Sequence, residues 1–125
     1  MKLHHIALIA GDYARSKAFY TDILPFTILA EHYRAERDSW KLDLALNGEY
    51  VLELFSFPNP PTRAPGQEPR GLRHLAFAVE DIDGERAALL AKGVACEDVR
   101  VDPYTGKRFF FFHDPDGVPL EFYEM

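Results

Sequence analysis

LHHIALIAGD (residues 3–12) and LRHLAFAVED (residues 72–81) are two versions of one segment, each with histidine in third place. The histidines, His5 and His74, stand 69 residues apart, and the likeness does not end with them. Glu53 and Glu121, 68 residues apart, sit in a second matched pair, GEYVLELF (48–55) and GVPLEFY (117–123). A period this long does not fit a solenoid and suits a duplicated supersecondary module. Each half reads L-x-H-[IL]-A, a helical stretch, further strands, then Gly, two or three residues and L-E-[LF].

The local signals agree between halves. Residues 3–10 and 72–79 are short and apolar, as strands are. Asp12 can cap a helix over 13–24, with Phe19, Tyr20, Ile23 and Leu24 on one stripe and Pro25 ending it. Asp81 or Asp83 can cap a second helix reaching 91–92, with Gly93 at its stop. Three strands follow each helix: 27–34, 39–46 and 50–57, then 95–101, 107–113 and 118–124. Asn47–Gly48 is a strong hairpin turn signal, and Asp114-Pro-Asp-Gly supplies another turn. The expected fold class is α+β, with two tandem β-α-β-β-β modules in one domain, 1–125. Between the modules (1–57 and 72–125) runs PNPPTRAPGQEPRG (58–71), with five of the nine prolines. Proline removes ladder donors, so this segment reads as an extended linker, or a rim or lid to a pocket.

One helix per four strands covers one sheet face. Side chains alternate along a strand, so Ile6 and Leu8 oppose His5, Ala7 and Ile9, and Leu75, Phe77 and Val79 oppose His74, Ala76 and Ala78. In the same way Leu52 and Leu54 oppose Glu53, and Leu120 and Phe122 oppose Glu121. The second face thus carries His, Glu and mostly small residues, which leaves room for a ligand. Two imidazoles and two carboxylates suit a divalent first-row cation, Zn²⁺ or Ni²⁺ first, with Fe²⁺ and Mn²⁺ also fitting. Taken singly, a strand His or Glu is ordinary surface; the joint recurrence carries the reading. His4 is expected to face the other way. Trp40, Tyr104 and Phe110 are candidate pocket aromatics, and Phe109–Phe112 reads as a strand buried on both faces. His32 and His113 lack a counterpart and read as structural or exposed, and Cys96 as a buried small hydrophobe.

Composition narrows the classes. The chain has 125 residues, with 14 basic against 20 acidic side chains. No concentrated basic surface is present, which argues against nucleic acid and against an anionic membrane. No apolar run approaches a membrane span, and one cysteine allows no internal disulfide. With a first segment that lacks the layout of a secretory leader, these features suit a cytoplasmic protein.

The paired modules, H-[IL]-A on each first strand and L-E-[LF] on each last strand, together resemble the vicinal oxygen chelate superfamily along the whole chain. That superfamily includes glyoxalase I, fosfomycin-resistance proteins, extradiol dioxygenases and methylmalonyl-CoA epimerases, and small bacterial glyoxalase I-like proteins are most similar. The resemblance implies curved sheets around a metal-centred pocket, with His5, Glu53, His74 and Glu121 as ligands. It also implies a homodimer and a small-molecule substrate. A carboxylate at position 53 suits glyoxalase I more than the dioxygenases, which resemble one another in two His and one Glu. Glu53 or Glu121 would then act as general base in proton transfer next to a carbonyl, on an α-hydroxycarbonyl or hemithioacetal. Arg34, Arg37, Lys107 and Arg108 are candidates for holding substrate carboxylates. Alternatives are an antibiotic-binding resistance protein, an epimerase-like enzyme or a dioxygenase-like enzyme.

Overall fold

The computed structural model describes residues 1–125. It contains two compact units, Met1–Thr62 and Arg63–Met125. The division falls inside the proline-rich segment, so the second half of that segment belongs to the second unit.

The first unit runs β1 (Ile6–Ala10), α1 (Tyr13–Ala18), β2 (Thr27–Arg34), β3 (Ser39–Leu46) and β4 (Glu49–Ser56). The second repeats it with β5 (Leu75–Val79), α2 (Ile82–Ala91), β6 (Arg100–Val101), β7 (Arg108–His113) and β8 (Pro119–Glu124). Each sheet has its first strand against its last, in the orders β1-β4-β3-β2 and β5-β8-β7-β6. The first–last pair is parallel in both and the other pairs are antiparallel. This is the α+β, twice-repeated β-α-β-β-β architecture expected from the sequence.

Two expected elements differ. The helix over 13–24 is α-helical only to Ala18, and Phe19–Ile23 continues as a π-helical turn. There Leu24 donates its N–H to Phe19 O (3.0 Å), and the Thr21 hydroxyl is drawn back to Lys17 O (2.8 Å). The wider turn leaves Phe19, Tyr20 and Leu24 buried. The strand expected over 95–101 is reduced to two residues. Cys96 bridges Phe112 and Arg100 pairs with Phe109, a one-residue slip between them, although Glu97 still donates its N–H to Phe111 O (2.9 Å).

Alternation sorts the faces. Leu8, Ala10, Leu42, Leu44, Leu52 and Leu54 are buried in the first unit with Phe19, Tyr20, Leu24 and Phe26. In the second unit Leu75, Phe110, Phe112, Leu120 and Phe122 are buried with Ile82 and Leu89 of α2. Within the single chain Phe109 and Phe111 are half-buried, while Phe110 and Phe112 are fully buried. It alternates like the other strands. Phe110 belongs to the core rather than to a pocket, Tyr104 is exposed in a turn, and Trp40 is exposed and stacked on Tyr13. No helix is long and apolar enough to cross a membrane.

Local chemistry explains why α2 starts where it does. Asp81 accepts the Gly84 N–H (3.0 Å) and so satisfies a donor that the first turn leaves open. A Cβ at position 84 would lie 2.2 Å from Asp81 Oδ2, so a larger residue there would require the Asp81 carboxylate to shift. Asp81→Ala is expected to cost about 1 kcal/mol of stability, measured by denaturant unfolding.

Candidate metal centre

In the first unit the register sets Glu53 of β4 beside Ala7 of β1. Ala7 is two residues beyond His5, and the ring of His5 turns to the same carboxylate, Nε2 to Oε2 at 3.5 Å. In the second unit Glu121 of β8 pairs with Ala76, two residues beyond His74, and His74 Nε2 lies 3.0 Å from Glu121 Oε2. The same nitrogen thus meets the same kind of oxygen, at the same register, in both units. Both glutamate side chains are nearly buried, at 12% and 11% exposure. Small neighbours, Ala7, Ala76 and Ala78, leave the face open.

These separations can be tested against a cation. With bonds of about 2.1 Å, adjacent donors lie about 3.0 Å apart around an octahedral ion and about 3.4 Å apart around a tetrahedral one. Both pairs have the spacing of two donors on one ion. Imidazole and carboxylate are also the donor types that Zn²⁺ and its neighbours take. In neither unit do three or more His, Cys, Asp or Glu side chains gather into one group, so each unit offers two donors.

The surroundings of the two glutamates differ. The Tyr50 hydroxyl lies 2.7 Å from Glu53 Oε2 and 2.9 Å from Asp43 Oδ1, two acceptors for a single proton. Lys41 Nζ donates to Asp43 Oδ1 (2.8 Å) and reaches Glu53 Oε2 at 3.5 Å. Burial and the two carboxylates hold the Tyr50 phenol well above its usual range. Burial works against the Asp43 charge, yet hydrogen bonds from Lys41 and Tyr50 keep its carboxyl below the usual range. The hydrogen bond to Asp43 raises Lys41. Glu121 makes its direct polar contact with His74, with the Tyr123 phenol within electrostatic range, and its strand partner is Phe111, whose ring meets His74 edge-on at 5.1 Å.

Sequence reasoning missed Tyr50, Asp43 and Lys41, and it misplaced His4. His4 and His5 precede β1, where strand alternation does not hold, and their Nδ1 atoms lie 2.8 Å apart. Tyr50 packs against both rings, each at 5.2 Å.

The second unit also carries a cleft of about 570 Å³, walled by residues 63–69 and floored by Phe111, His113 and Pro119. Its cationic side chains are Arg63, Arg73 and Arg100. Arg100 lies over the Phe109 and Phe111 rings at 5.1 and 5.6 Å. Arg73 is tied to Glu68 (2.6 Å) and reaches His74 Nδ1 (3.1 Å). The proline-rich segment is therefore a wall of a cleft, and His113, read from sequence as structural or exposed, lines it. The four cations singled out by sequence lie elsewhere. Arg108 is paired with Asp83 and Glu124, and Lys107 donates to the Met125 carbonyl. Arg34 and Arg37 lie over Phe57, with Arg34 also over Phe55.

The sequence matches the Glyoxalase/Bleomycin resistance protein/Dioxygenase superfamily over residues 2–122. It is 66% identical over 124 residues to the uncharacterized protein YaeR of Escherichia coli (strain K12), covering 99% of this chain and 96% of that one. A crystal structure of a glyoxalase family protein from Enterococcus faecalis superposes with a TM-score of 0.91 at 45% identity, over 98% of this chain and 97% of the other. The lactoylglutathione lyase of Agrobacterium tumefaciens superposes with a TM-score of 0.68 at 20% identity, over 98% and 92% of the two chains. At that identity the likeness is one of fold.

Proposed function

Since the chain belongs to the glyoxalase/bleomycin resistance protein/dioxygenase superfamily, we propose that it is a metal-dependent, glyoxalase I-like lyase or isomerase of the cytoplasm. Its substrate in this reading is a small α-hydroxycarbonyl or hemithioacetal. His5, Glu53, His74 and Glu121 hold one divalent cation, Zn²⁺ or Ni²⁺, and the working form is a homodimer. The observation that carries this reading is the His–Glu pair made twice at one register, each with the spacing of two donors on a common ion.

When bound, the cation supplies a Lewis acid for the oxygens of the substrate. The protein supplies the proton transfer. Glu121 suits the base: its carboxylate meets one polar side chain, so an oxygen can leave that contact, take the proton next to the carbonyl and return it to the neighbouring carbon. Glu53, held from three sides, is the poorer candidate for movement. The adjoining cleft is of a size that takes a small molecule. The guanidinium of Arg100 there, braced on two rings and 3.6 Å from an exposed Glu97, suits an anionic group on the unreactive end.

The test is metal content of the purified protein, followed by turnover of methylglyoxal plus a thiol. Chelation is expected to abolish turnover, and Zn²⁺ or Ni²⁺ to restore it. Turnover untouched by chelation, or none with any metal-loaded protein, would overturn the proposal; the second result with an empty site favours a binding protein.

A further inference from the structure

We infer that Tyr50, braced by Asp43 and Lys41, is a positioning residue that clamps Glu53 as a fixed metal ligand. The inference rests on the metal-site reading above and goes beyond it by giving the two duplicated glutamates unequal roles.

The first observation is how Tyr50 reaches Glu53 at all. The two residues are three apart in β4, and in an uninterrupted strand residues three apart face opposite ways. The ladder shows what changes this. Leu46 pairs with Glu49 and Ala45 with Tyr50, but Leu44 pairs with Leu52, so Val51 is an extra residue in β4. The bulge turns Tyr50 onto the face of Glu53. Bulges lie beside active sites where a side chain has to be re-aimed. The corresponding hairpin of the second unit has none: from His113–Pro119 to Phe109–Tyr123 its register runs without a slip.

The second observation is the chemistry of the partners. The residue opposite Glu53 is Asp43, and the residue opposite Glu121 is Phe111. Two carboxylates on one phenol repel unless a cation accompanies them, and Lys41 is that cation. The cluster is thus complete around Glu53 and replaced by an aromatic strand partner at Glu121. A ligand carboxylate held by outer hydrogen bonds is pre-oriented for its ion. One without them keeps the freedom to move.

The test is the affinity of the full chain for Zn²⁺, measured by competition with a chromophoric chelator, in wild type, Tyr50→Phe and Asp43→Asn. Tyr50→Phe keeps the ring contacts with His4 and His5 and removes only the hydroxyl. It is expected to weaken Zn²⁺ binding about 10–100-fold while the melting temperature of the metal-free protein stays at the wild-type value. Asp43→Asn is expected to weaken binding in the same direction and serves if Tyr50→Phe does not fold. Equal Zn²⁺ affinity in wild type and variants overturns the clamp and leaves the metal site standing. Loss of metal-free stability with no loss of affinity marks a structural hydroxyl and also overturns it. A wild-type protein that binds no Zn²⁺ removes both the site reading and the clamp.

Discussion

Glu121→Gln is expected to lower kcat by about 10²–10⁴-fold, the usual worth of a general base, with bound metal retained. Glutamine matches the shape and keeps one oxygen donor, but it has no carboxylate to take a proton. In the proposed reaction Glu121 is the better candidate for the base because of what surrounds it. The residue is only 8% exposed, its direct polar contact is His74, and its strand partner is Phe111. An apolar strand partner leaves few competing donors to hold the carboxylate in place. Glu53→Gln is expected to act differently. The amide exchanges an acceptor for a donor facing the Tyr50 hydroxyl and Lys41, so the ligand is disordered and metal affinity falls along with turnover. Steady-state turnover measured beside metal content separates the two. Full activity in both variants refutes the assignment of a carboxylate base.

His5→Ala and His74→Ala are each expected to abolish tight metal binding. The loss should exceed the ~10–100-fold that removal of an outer-sphere partner brings. Each histidine is half of a two-donor pair, and each unit has one such pair. In the proposed site, removing either imidazole would leave three donors, and the carboxylate beside the gap would lose its companion. Side-chain exposures of 35% for His5 and 27% for His74 place neither ring in the packed core, so the fold should tolerate both changes. Circular dichroism of the metal-free variants checks that, and competition titration reads the affinity. A variant pair in which only one histidine matters would contradict the proposed four-ligand cation.

The sequence revealed the fold through repetition. The recurrence of a His-containing strand and a Glu-containing strand at nearly one spacing defined the modules, and Asp81, Gly93 and Asn47–Gly48 marked ends that the structure reproduces. The weak places were those where tertiary pairing overrides local pattern. Residues 95–101 read as a strand, yet a one-residue slip against β7 breaks it. The phenylalanine run read as doubly buried, whereas within the single chain Phe109 and Phe111 are half-buried, because period alone cannot report what lies on the second face. Of the proposed site, the two His–Glu pairs stood out in the sequence because duplication wrote them twice. Tyr50, Asp43 and Lys41 occur once and had no echo to draw attention.

A signal for Tyr50 was nevertheless present. A two-residue Asn-Gly turn fixes Leu46 opposite Glu49, while Leu42 and Leu44 must share a face with Leu52 and Leu54 to build a core. Both cannot hold without one extra residue in one of the two strands; the structure places it in β4 at Val51, where it re-aims Tyr50. The arginines of the cleft were hidden for another reason. Arg63 lies within, and Arg73 just beyond, a proline-rich stretch that has no periodicity to orient it, and Arg100 sits in the strand that the slip breaks.

The most direct test is a crystal structure of the protein grown with Zn²⁺, with anomalous diffraction collected at the zinc edge. One peak is expected, bonded to His5 Nε2, Glu53, His74 Nε2 and Glu121. A peak held by one His–Glu pair alone, a peak elsewhere on the chain, or no peak at all would contradict the proposed four-ligand cation.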